Sequence, residues 1–296
     1  MGPAEPVAYV NGQFYPKSQA KISIYDHGFL FGDGVFDTMV AVNGFLFKLD
    51  QHVDRFYRSA RAVKINMSME KSELKSLILE TVRRSGLRDA YVKCIVTRGE
   101  GPRPLLDPSD LANPSLVIFA VPPVSTIRPE KLQSGARVIT LPIQRPSHES
   151  LDPRIKSLNY LPVIMMRFIA REAGFDEAIC LSQDGHVAEA PGENVFIISD
   201  GVVMTPAREI LEGITRETVI EMARSEGYTV LEKDLTLYDL YNADEAFFSS
   251  TAGGVMPIKE IDTVSIGTGK PGEVTMKIKE LYFKMLQDGV HGTPIF

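Results

Sequence analysis

Four Asx-Gly dipeptides, each between short runs of strand-forming residues, set the strongest limits on how this chain can fold. They are Asn11-Gly12, Asn43-Gly44, Asp184-Gly185 and Asp200-Gly201. Such dipeptides favour two-residue β-hairpin turns, because both turn positions need a positive φ. Hairpins join antiparallel strands, so the pattern predicts mixed or antiparallel sheets and argues against a doubly wound parallel sheet.

Amphipathic segments between the strand runs predict several helices. In the first of them Leu49, Val53 and Phe56 fall on one face at helical spacing. Gly86 and Gly174 follow two of the helical segments as C-terminal caps. Helices combined with hairpins predict an α+β fold. The first helix is predicted to begin near residue 50. The other helices are predicted to span about 69–84, 161–173, 214–225 and 274–287.

The paired prolines Pro122-Pro123 mark the predicted boundary between two domains. Consecutive prolines stop both helix and sheet, since a proline has no backbone N–H donor. With 296 residues, the chain is long enough for two domains of ordinary size. The sequence therefore predicts a small α+β domain over residues 1–121, an interdomain linker over 122–134 and a large domain over 135–296.

The charge balance and the cysteines limit the classes of partner and compartment. The chain has 32 Lys and Arg against 38 Asp and Glu, a net charge of −6, so we expect no nucleic-acid partner and no attraction to an anionic membrane. Cys94 and Cys180 lack CxxC spacing, which argues against a zinc site or a disulfide framework. The amino terminus does not look like a signal peptide and the apolar runs are too short to span a bilayer, so we expect a cytoplasmic protein.

Several common catalytic motifs do not occur in the sequence. The glycine pairs within 32–34 and 99–101 lack the third glycine of a dinucleotide fingerprint, and there is no Walker A sequence. The five histidines show no HExxH spacing, so we expect no metal site. No GxSxG sequence supports a serine nucleophile.

Three segments carry residue types that one cofactor would need together. The first contains Lys156 and Tyr160 ahead of an apolar helix, and the second contains Glu189 and Asn194 in a turn between strands. The third is a pair of small-residue turns, whose backbone N–H groups and hydroxyls suit a phosphate. Taken singly, each segment is explained by a solvated helix start, a polar turn or an ordinary helix cap. The segments span residues 154–161, 187–196, and 212–216 with 249–254.

Together these residues match the needs of pyridoxal 5′-phosphate (PLP): a lysine for a Schiff base, a carboxylate for the pyridine nitrogen, a phenol and a phosphate-binding turn. The segments resemble those of the class IV (fold type IV) PLP-dependent aminotransferases. That family includes branched-chain and D-amino acid aminotransferases, (R)-selective amine transaminases and aminodeoxychorismate lyase. Blocks 26–36 and 52–55 are similar to the family too, and matching segments run from about residue 7 to residue 258.

The resemblance implies an α+β, two-domain fold of the D-amino acid aminotransferase type, with PLP bound by the large domain. It implies that Lys156 is the catalytic lysine, which forms the Schiff base and moves a proton between the substrate Cα and the cofactor C4′. An ionised Glu189 would bind the pyridine nitrogen, and Tyr160 the ring hydroxyl oxygen. The rest of the implied cofactor-binding set, mostly around the phosphate, is Arg55, Asn194, Ile214, Thr215, Ser250 and Thr251.

The resemblance also implies how the enzyme works as a whole. The aldehyde and amine forms of the cofactor alternate, which gives ping-pong kinetics. Family members bring residues of two subunits to each site, so a homodimer is implied. The expected small-molecule partners are an amino donor and a 2-oxo acid.

Substrate-facing residues are predicted from strand alternation, because residues i and i+2 share a face. The resemblance implies that one face of each of two strands contacts the substrate. Three residues outside these strands are implied as further substrate contacts. Among these residues Arg103 is the expected carboxylate anchor, with Lys93 a weaker charge; the alternative is that Arg103 is a solvated loop charge and that Lys93 pairs with a nearby acid. The predicted substrate-binding set is Phe36, Thr38, Tyr91, Lys93, Arg103, Thr251 and Ala252.

The predicted pocket departs from the family patterns. Typical branched-chain enzymes have Phe-Glu-Gly-Ile-Arg where this chain has residues 36–40, and Tyr-x-Arg where it has residues 91–93. One arginine is therefore replaced by Val40 and a second by Lys93, which loses bidentate carboxylate binding. D-amino acid enzymes have Arg-x-His where this chain keeps Arg103 and lacks the histidine.

The leading prediction is an aminotransferase that moves an amino group between aliphatic or branched-chain amino acids and 2-oxo acids such as 2-oxoglutarate or pyruvate. Segments 156–160 and 213–216 look most like the branched-chain group, which favours this choice. A D-amino acid or (R)-amine transaminase is the alternative, and aminodeoxychorismate lyase is a further one. A PLP-binding protein without turnover is the alternative from a different class.

Overall fold

The computed structural model describes residues 5–111, 113–124, 130–143 and 146–296. The strands are β1 (Val7–Val10), β2 (Gln13–Pro16), β3 (Gly34–Val42), β4 (Phe45–Phe47), β5 (Ala90–Thr97), β6 (Ser115–Val121), β7 (Ala136–Leu141), β8 (Glu177–Cys180), β9 (Asn194–Ser199), β10 (Val202–Thr205), β11 (Val230–Glu232), β12 (Glu245–Ser250), β13 (Gly254–Ile261), β14 (Val264–Ser265) and β15 (Gly292–Pro294). The α-helices are α1 (His27–Phe31), α2 (Leu49–Ala62), α3 (Lys71–Ser85), α4 (Lys131–Ser134), α5 (His148–Leu151), α6 (Leu161–Glu172), α7 (Ile214–Ser225), α8 (Leu237–Tyr241) and α9 (Glu273–Gln287).

The chain groups into two compact units that do not follow a single cut in the sequence. The predicted linker, 122–134, contains the end of the first unit's amino-terminal segment, and its residues 125–129 lie outside the described part of the chain. Two later segments join the first unit, whereas the sequence assigned both to the large domain. The first unit is Met1–Val124, Ile155–Asn159 and Leu286–Phe296, and the second is Ser125–Arg154 and Tyr160–Met285.

The first unit is built on a seven-stranded sheet in which neighbouring strands are antiparallel. Its strand order is β15-β4-β3-β5-β6-β1-β2. Helices α2 and α3 pack against this sheet, mainly on β3 and β6. Alternation along the strands sends one set of side chains into the core against the helices and the other set to the opposite face. The core includes the buried residues Leu46, Phe56, Leu74, Val92 and Ile118.

Three of the four predicted hairpins are confirmed in full, because the strands on either side of each dipeptide pair antiparallel. Asn11 and Gly12 have φ values of 45° and 96°, and Asn43 and Gly44 have 53° and 86°. Both residues of each turn therefore take the left-handed conformation that Asx-Gly supplies at low cost. The third hairpin, at Asp200-Gly201, connects β9 and β10.

The fourth prediction, at Asp184-Gly185, is confirmed in a shorter form, because the segments on either side of the turn pair antiparallel through a bridge and backbone hydrogen bonds. Of the two residues only Gly185 has a positive φ, 84°. A single bridge between Leu181 and Val187 closes the turn. The backbone N–H of Ser182 donates to the carbonyl oxygen of His186 at 2.8 Å, and the hydroxyl of Ser182 accepts the backbone N–H of His186 at 3.0 Å, so this side chain adds to the backbone pairing.

The second unit is built on an eight-stranded mixed sheet, as predicted. Its order is β11-β10-β9-β12-β13-β7-β8, with β14 beside β13. The pairs β10–β11, β13–β7 and β7–β8 are parallel, and the others are antiparallel. Helix α6 packs on β7 and β8, and α7 packs on β11 and β12.

The long helices begin and end close to their predicted positions. Gly86 and Gly174 follow α3 and α6 with φ values of 66° and 79°, which fits their role as C-terminal caps. Among the residues that the structure describes, no helix is long and apolar enough to cross a bilayer.

Candidate active site

Strands β3 and β5 bring four of the predicted substrate-binding side chains to one face of the first unit. The register pairs Thr38 with Lys93 and Val40 with Tyr91. The hydroxyl oxygens of Thr38 and Tyr91 lie 3.5 Å apart. The Nζ atom of Lys93 lies 4.2 Å from the centroid of the Phe36 ring. The grouping of these side chains follows from strand alternation, as the sequence predicted.

Lys156 lies beside β3 in the same unit. The backbone N–H of Phe36 donates to the carbonyl oxygen of Lys156 at 2.9 Å. The backbone N–H of Lys156 donates to the hydroxyl of Ser59 at 3.2 Å, and Ser157 forms a bridge with Val35. The Nζ atom of Lys156 lies 4.8 Å from the centroid of the Phe36 ring, over which Lys93 also lies. Burial, and after it the charge of Lys156, lowers the pKa of Lys93.

Arg55 belongs to a buried charge cluster on the core side of β3. Its Nε and Nη2 atoms each donate to a carboxylate oxygen of Asp37, both at 2.8 Å. The Nδ1 atom of His52 lies 2.7 Å from Oδ1 of Asp37. Burial opposes ionisation of Asp37, but Arg55 and His52 outweigh it and hold the pKa of this carboxyl well below its usual range. Burial lowers the pKa of His52.

Glu189 is buried in a turn of the second unit. Its Oε2 atom accepts a hydrogen bond from Nδ2 of Asn194 at 3.1 Å, and the backbone N–H of Leu211 donates to both carboxylate oxygens at 3.1 and 3.2 Å. Only 3% of Glu189 is exposed. A buried carboxylate with fixed donors keeps one orientation, as binding to a ring nitrogen would require.

The start of α7 offers backbone N–H groups that have no partner inside the helix. Gly213 is the N-cap residue and Ile214 the first helical residue. A Cβ atom at Gly213 would lie 2.1 Å from Oδ1 of Asn194, so only glycine allows this approach of the two segments. The buried Thr215 places Oγ1 3.4 Å from the hydroxyl of Tyr282. A helix N-terminus with a buried hydroxyl suits a phosphate group.

The other predicted site residues lie in two turns and one loop. Ser250, Thr251 and Ala252 lie where β12 turns into β13, and the hydroxyl of Ser250 accepts the N–H of Gly253 at 3.1 Å. Tyr160 is the N-cap residue of α6. Arg103 is different, since 65% of its side chain is exposed and its Nη2 atom pairs with Asp110 at 2.8 Å.

The sequence did not single out Asp37 or His52 as site residues. A signal was available, because Asp37 is a charged residue on the apolar face of a predicted strand, and His52 and Arg55 are one helical turn apart. In the described ranges, no group of three or more His, Cys, Asp or Glu side chains is arranged to hold a metal ion.

Comparison with known proteins gives the family. Residues 34–261 match the family described as amino-transferase class IV. The chain is 42% identical over 276 residues to a putative branched-chain-amino-acid aminotransferase of Methanocaldococcus jannaschii, covering 93% of this chain and 94% of that protein. It is 38% identical over 272 residues to the D-alanine aminotransferase of Bacillus licheniformis, covering 91% and 93%.

Solved structures agree with this relationship. The T.th. branched-chain amino acid aminotransferase with pyridoxamine 5′-phosphate has a TM-score of 0.94 and 31% identity, over 99% of both chains. The branched-chain aminotransferase of Thermoproteus uzoniensis with norvaline has a TM-score of 0.89 and 33% identity, over 98% of this chain and 99% of that one. The chain therefore has the α+β fold of type IV that the sequence predicted, and it belongs to the class IV aminotransferases.

Proposed function

We propose that this protein transfers the amino group of an aliphatic amino acid to a 2-oxo acid such as 2-oxoglutarate or pyruvate, in a ping-pong reaction. As a class IV aminotransferase it is a transaminase that depends on PLP. When bound, PLP supplies the electron sink that lets the substrate Cα proton leave. The observation that carries the proposal is the position of Lys156 and Lys93 over Phe36.

The side chains present fit the cofactor. We propose that Lys156 is the amine that binds PLP and then moves the proton. The Glu189 carboxylate, which Asn194 and Leu211 hold in place, would bind the pyridine nitrogen and favour its protonated form. Tyr160 would bind the ring hydroxyl oxygen. The phosphate would be bound by Arg55, Ile214, Thr215, Ser250 and Thr251.

The β3–β5 face supports an amino acid as the substrate. Phe36 offers an apolar surface for an aliphatic side chain, and Thr38 and Tyr91 offer hydroxyl groups beside it. Lys93 offers a half-buried cation, which a substrate carboxylate would stabilise. Arg103, Thr251 and Ala252 stay predictions as further substrate contacts.

D-amino acids or (R)-amines are the second candidate class of donor. Two observations support them: the chain is 38% identical to a D-alanine aminotransferase, and it has Val40 where the branched-chain pattern has an arginine. An apolar residue at this position offers no charged partner to a carboxylate, which favours (R)-amines, whereas the relative alone supports D-amino acids.

A half-reaction screen tests the proposal. The loaded protein is mixed with L-leucine, L-valine, D-alanine or an (R)-amine, without acceptor, and the visible absorbance of the bound cofactor is followed. We expect L-leucine or L-valine to give the fastest change. Faster change with D-alanine or the (R)-amine would favour the second candidate, and no change with any donor would contradict transamination.

We also propose a homodimer. Helix α6 exposes Leu161, Ile164, Met165 and Phe168. Their spacing places them on one face, and an exposed apolar face of this kind is typical of protein–protein contacts. Sedimentation equilibrium should give twice the mass of one chain, and Phe168→Glu should lower it, whereas a monomeric wild-type protein would contradict the proposal. The cytoplasmic location stays a prediction from the sequence.

A further inference from the structure

Three charged side chains, none of which the sequence analysis assigned a role, form a cluster in the second unit. Arg167 lies on α6, Glu177 on β8, and Glu193 in the turn before β9. The Nε and Nη2 atoms of Arg167 lie 2.8 and 2.6 Å from Oε2 of Glu177, and Nη2 lies 3.1 Å from Oε1 of Glu193. Both carboxylates have 0% side-chain exposure, against 33% for Arg167.

Glu193 is part of the same turn as Glu189. Its Oε2 atom accepts the backbone N–H of Gly192 at 2.9 Å, and its carbonyl oxygen accepts the N–H of Ala190 at 2.8 Å. The next residue is Asn194, whose Nδ2 atom donates to Glu189 and to the carbonyl oxygen of Leu211. The Glu193 side chain is therefore tied by a hydrogen bond to the backbone of the turn that carries the Glu189 carboxylate.

The guanidinium of Arg167 is what makes this cluster stable. Two buried carboxylates repel each other, and a cation between them offsets the repulsion and the loss of water. Burial and the neighbouring Glu193 raise the pKa of Glu177 to about 7. Without Arg167, the buried Glu193 carboxylate would lose a charged partner. Opening of the turn, which would let water hydrate this carboxylate, would then cost less free energy.

We propose that Arg167 is a positioning residue of this aminotransferase, which acts through Glu193 to fix the turn of residues 189–194 and with it the Glu189 carboxylate. This inference rests on the proposed function, in which Glu189 binds the ring nitrogen of the cofactor. Arg167 itself touches neither substrate nor cofactor in this account. Its hydrogen bond to Glu193 connects α6, which follows Tyr160, to the turn that carries Glu189.

The first experiment measures the turn in the cofactor-free protein. Hydrogen–deuterium exchange is compared between wild type, Arg167→Met and the double variant Arg167→Gln/Glu177→Gln. The double variant removes one cation and one carboxylate, so the net charge of the cluster is unchanged and folding is easier to retain. Arg171→Met, an exposed residue of the same helix, is the matched control. We expect exchange at residues 188–194 to become about tenfold faster in both Arg167 variants and to stay unchanged in the control.

The second experiment is a double-mutant cycle with Glu189→Gln in the loaded enzyme. The Arg167 double variant should lower kcat by about tenfold in the wild-type background, with little change in KM for the amino donor. In the Glu189→Gln background the same substitutions should lower kcat by less than about twofold, because the carboxylate they position is gone.

Each outcome decides one part of the inference. Unchanged exchange at 188–194, or equal loss of kcat in both backgrounds, would overturn the positioning role. If Glu189→Gln alone leaves kcat unchanged, the proposed role of Glu189 is contradicted and the catalytic part of the inference with it. The exchange data, which need no cofactor, still show whether Arg167 fixes the turn.

Discussion

The ammonium groups of Lys93 and Lys156 lie over the same ring, 4.2 and 4.8 Å from the centroid of Phe36. The ring face stabilises a cation, but the two like charges repel each other. Burial and this repulsion lower the pKa of Lys93. An anionic group placed beside Lys93 would relieve the repulsion, which is a physical reason to expect the substrate carboxylate there.

Lys93→Met should therefore raise KM for an amino-acid donor by roughly tenfold or more, since it removes a charge-assisted hydrogen bond. An (R)-amine, which has no carboxylate, should be much less affected. Arg103→Ala is the comparison, and because Arg103 is exposed and paired with Asp110 we expect a smaller effect. The structure thus favours Lys93 over the anchor that the sequence favoured. Equal effects of Lys93→Met on both donors would contradict this assignment.

Glu189→Gln should retain PLP but lower kcat, because a neutral amide no longer favours the protonated ring nitrogen. The loss should be on the order of several kcal/mol in activation free energy if ring protonation governs the chemical step. Single-turnover kinetics at equal cofactor occupancy measure it. A variant with wild-type kcat would mean that Glu189 is only a polar turn residue.

Asp37→Asn should destabilise the first unit by about 3–5 kcal/mol, because it leaves the buried Arg55 without its carboxylate. The control is Asp54→Asn, whose exposed pair with Lys71 should be worth about 0–1 kcal/mol. The pKa of Asp37 is held below its unfolded-state value of about 3.8, so its contribution to stability is present at neutral pH and is lost progressively as the pH falls from that value toward the folded-state pKa. Urea unfolding from pH 7 toward pH 3 should show this loss in wild type and a weaker one in Asp37→Asn.

The contribution of Glu177 to stability should have the opposite pH dependence to that of Asp37. Its pKa is raised from 4.5 to about 7 by burial and by Glu193, so between these values the folded state binds more protons than the unfolded state. Its contribution to stability is therefore lost as pH rises from about 4.5 to 7. Glu177→Gln mimics the protonated form, and Arg167 retains Glu193 as a partner. The unfolding free energy of the variant relative to wild type should increase from pH 5 to pH 8. A difference that stays constant over this range would contradict the raised pKa of Glu177.

The features predicted correctly from the sequence are those with a local cause. The turns at Asn11-Gly12 and Asn43-Gly44 need only the conformational preferences of two residues. The shared face of Phe36 and Thr38 follows from strand alternation alone. The family was identified because Lys156 and Glu189 lie in short sequence segments that can be recognised without knowledge of the fold.

The features that were missed depend on residues far apart in the chain. Segment 155–159 joins the first unit because its backbone pairs with β3, more than one hundred residues earlier, and no local pattern predicts such pairing. Arg167 meets Glu193 only because α6 packs on the second sheet, so three ordinary charges on a helix, a strand and a turn become one buried cluster.

The most direct test of the account is to locate the lysine that binds the cofactor. The loaded protein is reduced with borohydride, digested, and mapped by mass spectrometry for the pyridoxyl-modified peptide. We expect the modification on Lys156 alone, and none in Lys156→Arg treated in the same way. Modification of Lys93 or of any other lysine in the wild-type protein would contradict the account.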